Sequence, residues 1–126
     1  MSADGTVRRG FIYLVDFDPV GGSGQGKRRP ALVVQNDLGN VAGATTIVVS
    51  LSSRMPSRLY PFHVALPAEV LGRPGVIMCE QIRTVEIERL DRQPVAECPA
   101  EVMQQVEQAI RHSLGLSAET AAIAPF

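Results

Sequence analysis

The stretch GGSGQGKRRPALVVQN, residues 21–36, decides the fold, because its glycines lead into either a helix or a strand. Read as Gly21-x-x-x-x-Gly26-Lys27, it nearly completes a nucleotide-binding P-loop. Three features oppose that reading. A P-loop needs Ser or Thr after the lysine to ligand magnesium, and that position is Arg28. Its loop must open into a helix whose N-terminus faces the phosphates, yet Pro30 disfavours helical geometry at Arg29. The residues that follow, ALVVQN, are strand formers. The stretch is therefore a glycine loop that delivers Lys27, Arg28 and Arg29 to the start of a buried strand. Such a cluster reads as a solvated turn or as a phosphate-diester site made with the loop amides.

Working outward, the pattern is β-rich. GFIYLVDF (10–17) alternates as a strand, with Phe11, Tyr13 and Val15 on one face and Ile12 and Leu14 on the other. ALVVQN (31–36) and TTIVVSLS (45–52) are the second and third strands, separated by a turn-rich loop over 36–44. A polar, arginine-bearing loop (52–61) leads to a fourth strand, FHVAL (62–66). PAEVLG (67–72) is one helical turn, GVIMCEQIRTV (75–85) a fifth strand, and 93–96 a short sixth. The clearest helix spans 99–115, with Val102, Met103, Val106, Ala109, Ile110 and Leu114 on one stripe and Gly115 as its stop. Five or six short strands with a terminal helix predict a strongly bent sheet or barrel carrying helices.

A chain of 126 residues makes one domain, with a core over about 9–115 and a tail at 116–126. Hydrophobic residues at 45% and charged residues at 20% fit a globular protein and exclude a disordered one. There is no apolar run of membrane-spanning length, and the start MSADGTVRRGF lacks signal-peptide features, which points to a cytoplasmic protein. Cys79 and Cys98 are isolated, so they read as buried, reduced thiols. Nothing has metal-ligand spacing, and neither a metal nor another cofactor is implied. The net charge of −1 divides into +3 over residues 1–63 and −4 over 64–126. Eleven of the twelve basic residues are arginine, which suits phosphate recognition but also fits a biased genome.

RGFIYLVDFDPVGGSGQGKRRPALVVQND (9–37) resembles the N-terminal signature of the MazF/PemK toxins of bacterial toxin–antitoxin systems, and CEQIRTV (79–85) resembles their second motif. The resemblance covers residues 9 to about 115. It implies an α+β, mainly β fold: an SH3-like barrel of the CcdB/MazF type, with five to seven strands and a C-terminal helix, in a homodimer. It also implies a metal-independent endoribonuclease that cuts single-stranded mRNA and leaves 2′,3′-cyclic phosphate and 5′-hydroxyl ends. The implied partners are the RNA and a MazE-like antitoxin that occludes the RNA site. Operator DNA is reached only through the toxin–antitoxin complex.

Carried onto this sequence, the resemblance makes Arg29 the catalytic arginine and Ser52 the catalytic hydroxyl, where most relatives have threonine. Glu80 matches an acidic position proposed as a base, but pairing with an arginine explains it equally, and the base stays unassigned. Phe17, Ser23, Gln25, Lys27, Arg28, Asn36, Ser53 and Gln81 are the RNA-binding candidates. Phe17 also reads as core, and Tyr60 and Phe62 read as core or dimer contact. Gly24 and Phe11 replace acidic residues of the family signature. His112 lies off the apolar stripe of its helix, and His63 alternates with Phe62 and Val64 on a short strand. Two alternatives remain: a CcdB-like toxin that binds a protein such as gyrase without catalysis, and an inactive, antitoxin-bound regulator.

Overall fold

The computed structural model describes residues 6–17 and 28–117. Six strands form one antiparallel sheet: β1 (Phe11–Asp16), β2 (Arg28–Val33), β3 (Thr45–Ser52), β4 (His63–Leu66), β5 (Gly75–Glu86) and β6 (Ala96–Glu97). Their order across the sheet is β4-β5-β3-β2-β1-β6. Among the described residues three α-helices accompany them, α1 (Asp37–Ala42), α2 (Ala68–Leu71) and α3 (Ala100–Ser113), with a 3-10 turn at Ile87–Arg89. The outer strands β4 and β6 are four and two residues long and do not pair with each other, so the expected barrel is a curled half-barrel.

The central strands are almost wholly apolar because both faces of the sheet are covered. Ile12, Leu32, Val49 and Ile77 join one cluster beneath the Val102–Val106–Ala109 stripe of α3. Their neighbours Tyr13, Val15, Ala31, Val33 and Val48 join a second cluster on the opposite face, with Val85 and Leu90. Alternation along each strand thus feeds two cores. Helix α3 starts after Pro99 and ends near Gly115, whose φ of 73° suits glycine. Leu114, expected on the buried stripe, is 58% exposed because the helix has by then run past the sheet.

Strand β5 contains a register shift. Val49 pairs with Ile82 but Ser50 pairs with Met78, leaving Cys79, Glu80 and Gln81 bulged out against β3. An odd insertion swaps the faces. Before it, odd-numbered Ile77 and Cys79 point into the α3-side core; after it, Ile82 packs there and Val85 joins the other core.

Three boundaries differ from the sequence reading. Strand β2 begins at Arg28 and ends at Val33, rather than spanning 31–36, because Arg28, Arg29 and Pro30 already pair with β1. The sixth strand is Ala96–Glu97 rather than 93–96. The supposed loop over 36–44 contains helix α1, whose buried residue is Asn40 and not an apolar one. The Asn40 side chain donates to the Gln35 carbonyl and the Asp37 carboxylate, and accepts from the Gln35 amide and the Thr46 hydroxyl. Arg9 fastens this corner: its backbone N–H donates to Asp37, and its guanidinium donates to the Val34 carbonyl and to Glu107 on α3.

Cys79 and Cys98 are free and buried. Burial pushes the Cys79 thiol up to about 12, aided by the nearby charge of Glu80, and burial pushes Cys98 up to about 11.

Asn40→Ala strands the buried Thr46 hydroxyl and removes one of the two acceptors of the Gln35 amide. It should cost about 1–3 kcal/mol, read as a lower urea midpoint at unchanged slope. The thiols ionise near the ordinary pKa of about 8.5 once unfolded, but only at about 11 and about 12 in the fold. Their stabilising contribution should therefore be complete below pH about 8.5 and fall progressively above it, in pH-scanned denaturation. Iodoacetamide at pH about 8 should label neither cysteine until denaturant is added.

Candidate functional site

The face that carries the second core continues past it into polar side chains. Along β2 the series Val33, Ala31 ends in Arg29; along β3 Val48 gives way to Ser50 and Ser52; along β1 Val15 is followed by Phe17. On β5 the face swap at the bulge places Arg83 on the same face, and its guanidinium lies 4.5 Å from the centre of the Phe17 ring. Such a cation–π contact orders the arginine over a partly buried platform.

Two clefts open here and share one wall, made of Arg29, Pro30, Leu51 and Ser52. The first, of ≈ 310 Å³, also takes in Ser53, Arg54, Leu66, Leu71, Arg73 and Pro74. The second, of ≈ 320 Å³, takes in Phe17, Ser50, Met78, Gln81 and Arg83. The β2–β3 register pairs Ala31 with Ser50 and runs on toward Arg29 and Ser52. No carboxylate lines either cleft among the described residues, whereas Arg29, Arg54, Arg73 and Arg83 do. Low-dielectric walls around unbalanced positive charge concentrate the field on an anion.

The Ser52 hydroxyl accepts from the Arg54 backbone N–H at 3.0 Å and reaches the Arg54 carbonyl only at 3.4 Å. The first contact fixes the oxygen; the second is long, so the proton is available to an incoming acceptor. Gly75 lets β5 close against this strand end, since a Cβ there would lie 3.1 Å from the Ser52 carbonyl oxygen.

Arg29 and Ser52 thus meet at the shared wall, Ser53 joins the first cleft, and Phe17 and Gln81 join the second. Arg28 points the other way, as alternation requires, and forms a 2.6 Å ion pair with Asp91; it lines neither cleft. Asn36 caps α1 by accepting from the Gly39 N–H, and lines neither cleft. Ser23, Gln25 and Lys27 fall in 18–27, outside the described residues, as does Gly24. Sequence reading did not single out Arg54, Arg73, Arg83, Ser50 or Met78. Arg54 lay within a loop noted only as polar, and Arg83 within a strand whose bulge has no sequence mark.

Glu80 also stays out of both clefts, and its partner is His63 rather than an arginine, with 3.6 Å between Nε2 and Oε2. The His63 side chain is 5% exposed, and its Nδ1 accepts from the Tyr60 backbone N–H. Nδ1 is therefore unprotonated and the ring proton sits on Nε2, toward Glu80. Neither group reaches the wall between the clefts. Tyr60, read as core or dimer contact, is 46% exposed and stacks on Phe62, so it is not core.

The family model described as the PemK-like, MazF-like toxin of type II toxin–antitoxin systems matches residues 8–114. Endoribonuclease EndoA of Bacillus subtilis is 40% identical over 112 residues, covering 87% of this chain and 96% of that protein. A MazE–MazF crystal structure from Deinococcus radiodurans aligns with a TM-score of 0.73 at 31% identity, over 89% of this chain and 99% of that one. The Mycobacterium tuberculosis toxin MazF-mt6 shares the fold at 18% identity, with a TM-score of 0.70 over 85% of this chain and 98% of that one.

His63→Ala removes the acceptor of the Tyr60 N–H and the partner of Glu80. It should cost about 1–3 kcal/mol of stability in urea denaturation. Glu80→Gln retains a hydrogen-bonding side chain at the 3.6 Å contact and should cost less than His63→Ala. The reverse order would mean that Glu80, not the imidazole, holds the bulge.

Proposed function

The chain belongs to the PemK-like, MazF-like toxins of type II toxin–antitoxin systems, and from that premise we propose that its two clefts bind single-stranded RNA, with the cut made at the wall between them. It is an endoribonuclease toxin, which displaces the gyrase-binding and inactive-regulator alternatives. The observation that carries the site is Arg29 beside Ser52, facing both clefts, with no carboxylate among the described lining residues.

RNA brings its own nucleophile. The 2′-hydroxyl oxygen attacks the adjacent phosphorus, the bond to the 5′-oxygen breaks, and the products are a 2′,3′-cyclic phosphate and a 5′-hydroxyl. The proton lost by the 2′-oxygen is balanced by one gained at the 5′-oxygen. Little is left for the protein beyond alignment and stabilisation of a more negative phosphorane-like transition state. Arg29 does this with a planar, permanently charged fork, and Ser52 turns its proton from the long contact to the Arg54 carbonyl to a non-bridging oxygen. No described side chain lining the two clefts is a general base, and Glu80 and His63 are engaged with each other. Glu80 accordingly acts through the shape of the bulge and not as the base. None of these steps needs a metal.

The strand crosses the wall with one nucleotide in each cleft. Phe17 and Arg83 offer a stacking surface and Gln81 an edge-reading amide, the means by which unpaired bases are distinguished. Ser53 lies on the first-cleft side, and Ser23, Gln25 and Lys27 belong to the glycine-rich segment that precedes Arg29 in the sequence. Arg28 and Asn36 serve the fold through Asp91 and the α1 cap. The working unit is a homodimer formed by a single domain. Its inhibitor is a MazE-like antitoxin that fills the RNA clefts, and operator DNA is bound only by the pair. Among the described residues no helix is long and apolar enough to cross a membrane.

Purified protein incubated with long unstructured RNA and EDTA should cut it at a short recurrent sequence, mapped by primer extension. Arg29→Ala should lower kcat by about 10²–10³, the usual effect of losing one charge-stabilising donor, with the thermal midpoint unchanged. Ser52→Ala should lower it by less. Cleavage that disappears on chelation, or an Arg29→Ala variant cutting at the wild-type rate, refutes the mechanism.

A further inference from the structure

The first cleft holds more positive charge than the reaction at the wall requires. Arg54 and Arg73 line it, away from Phe17, Gln81 and Arg83 in the second cleft. Both are exposed, and neither forms an ion pair or hydrogen bond through its side chain with any described residue. Their backbones, by contrast, are fixed. The Arg54 N–H is held by the Ser52 hydroxyl at 3.0 Å, and Arg73 stands between Gly72, at a φ of 81°, and Pro74. Two guanidinium heads on fixed stems, beside Arg29 and with no carboxylate among the described lining residues, repel one another until an anion enters.

The rest of the cleft says which anion. Leu66, Leu71 and Pro74 make an apolar floor, so the ligand is not phosphate alone but phosphate joined to a flat or apolar body. Sharing the wall with the second cleft makes the site continuous with the place of cleavage. We infer that the first cleft is a separate RNA-backbone subsite, in which Arg54 and Arg73 grip the phosphate next to the scissile one and the floor takes its ribose and base. This rests on the RNA-binding reading above and adds two residues and a direction to it. The hydrogen bond from the Arg54 N–H to Ser52 ties the grip to the hydroxyl that faces the scissile phosphate.

Phosphate contacts have a signature that structural residues lack. Each one made to a single strand steepens the fall of log K with log salt by about 0.7. Binding of a mixed-sequence oligoribonucleotide carrying 2′-O-methyl groups, which cannot cleave, is measured by anisotropy across a salt series. Arg54→Ala and Arg73→Ala should each flatten the slope by about 0.7, the double variant by about twice that, and Arg54→Lys should restore it. Thermal midpoints should stay at the wild-type value, because both heads are exposed and unpartnered. Slopes equal to wild type in all variants overturn the subsite, even where the wild type cuts RNA. A flattened slope in a protein that cuts no RNA upholds the subsite and removes the catalytic reading instead. A slope that falls equally in Arg54→Lys also overturns it, because the charge was then not what mattered.

Discussion

Three residues that β3 does not match, Cys79, Glu80 and Gln81, set the geometry on which the rest of this molecule depends. A sheet with both faces covered has nowhere to put a polar cleft unless some strand changes face. The bulge makes that change in the longest strand. Upstream of it β5 pairs with both β3 and β4 and sends Ile77 and Cys79 to the α3-side core; downstream it pairs with β3 alone, with even-numbered Ile82 on the α3 side and odd-numbered Val85 in the opposite core. Each bulged residue goes somewhere different: Cys79 inward, Glu80 to His63, and Gln81 to the second cleft. The local bend also explains why the sheet curls without closing.

Because the faces are assigned so strictly, the site is the place where one face runs out of core. Ala31 and Arg29 are two residues apart on the same strand and differ in having a covering layer or lacking one. The same step separates Val48 from Ser50. Arg28 and Arg29 are adjacent in sequence, yet alternation sends one to Asp91 and the other to the clefts. Their different roles follow from backbone periodicity alone.

How much of this could be read beforehand depends on whether a burial pattern existed to be read. β1, β3, β5 and α3 have regular apolar periods, and their positions were legible to within a residue or two. Arg29 and Ser52 were singled out by a motif alone, since nothing in composition marks them, and the fold sets both on the wall between the clefts. Helix α1 was hidden because it inverts the usual rule: Leu38 and Val41 face outward at 80% and 71% exposure, while Asn40 is buried in a polar network. Its neighbour Asn36, an RNA-binding candidate, caps the helix. The bulge was hidden because Met78 to Ile82 reads as uninterrupted strand, and only the partner register reveals the extra residues. Arg54 and Arg73 were missed for a third reason. A loop arginine has no local signal, and its meaning comes from what the fold sets beside it.

That last point bears on how a chain with a net charge of −1 can hold a polyanion. Seven of the eleven arginines fall into two sets. Arg9, Arg28 and Arg89 pair with Glu107, Asp91 and Glu86. Arg29, Arg54, Arg73 and Arg83 have no carboxylate partner among the described residues and crowd the two clefts. Partly exposed ion pairs of the first kind contribute little to stability, typically below about 1 kcal/mol. Their effect here is on the field. Glu107 and Asp91 of the acidic C-terminal half pair with Arg9 and Arg28, and neither carboxylate lines the clefts that hold Arg29, Arg54, Arg73 and Arg83. Net charge therefore says little about this site, and the distribution of partners says most of it.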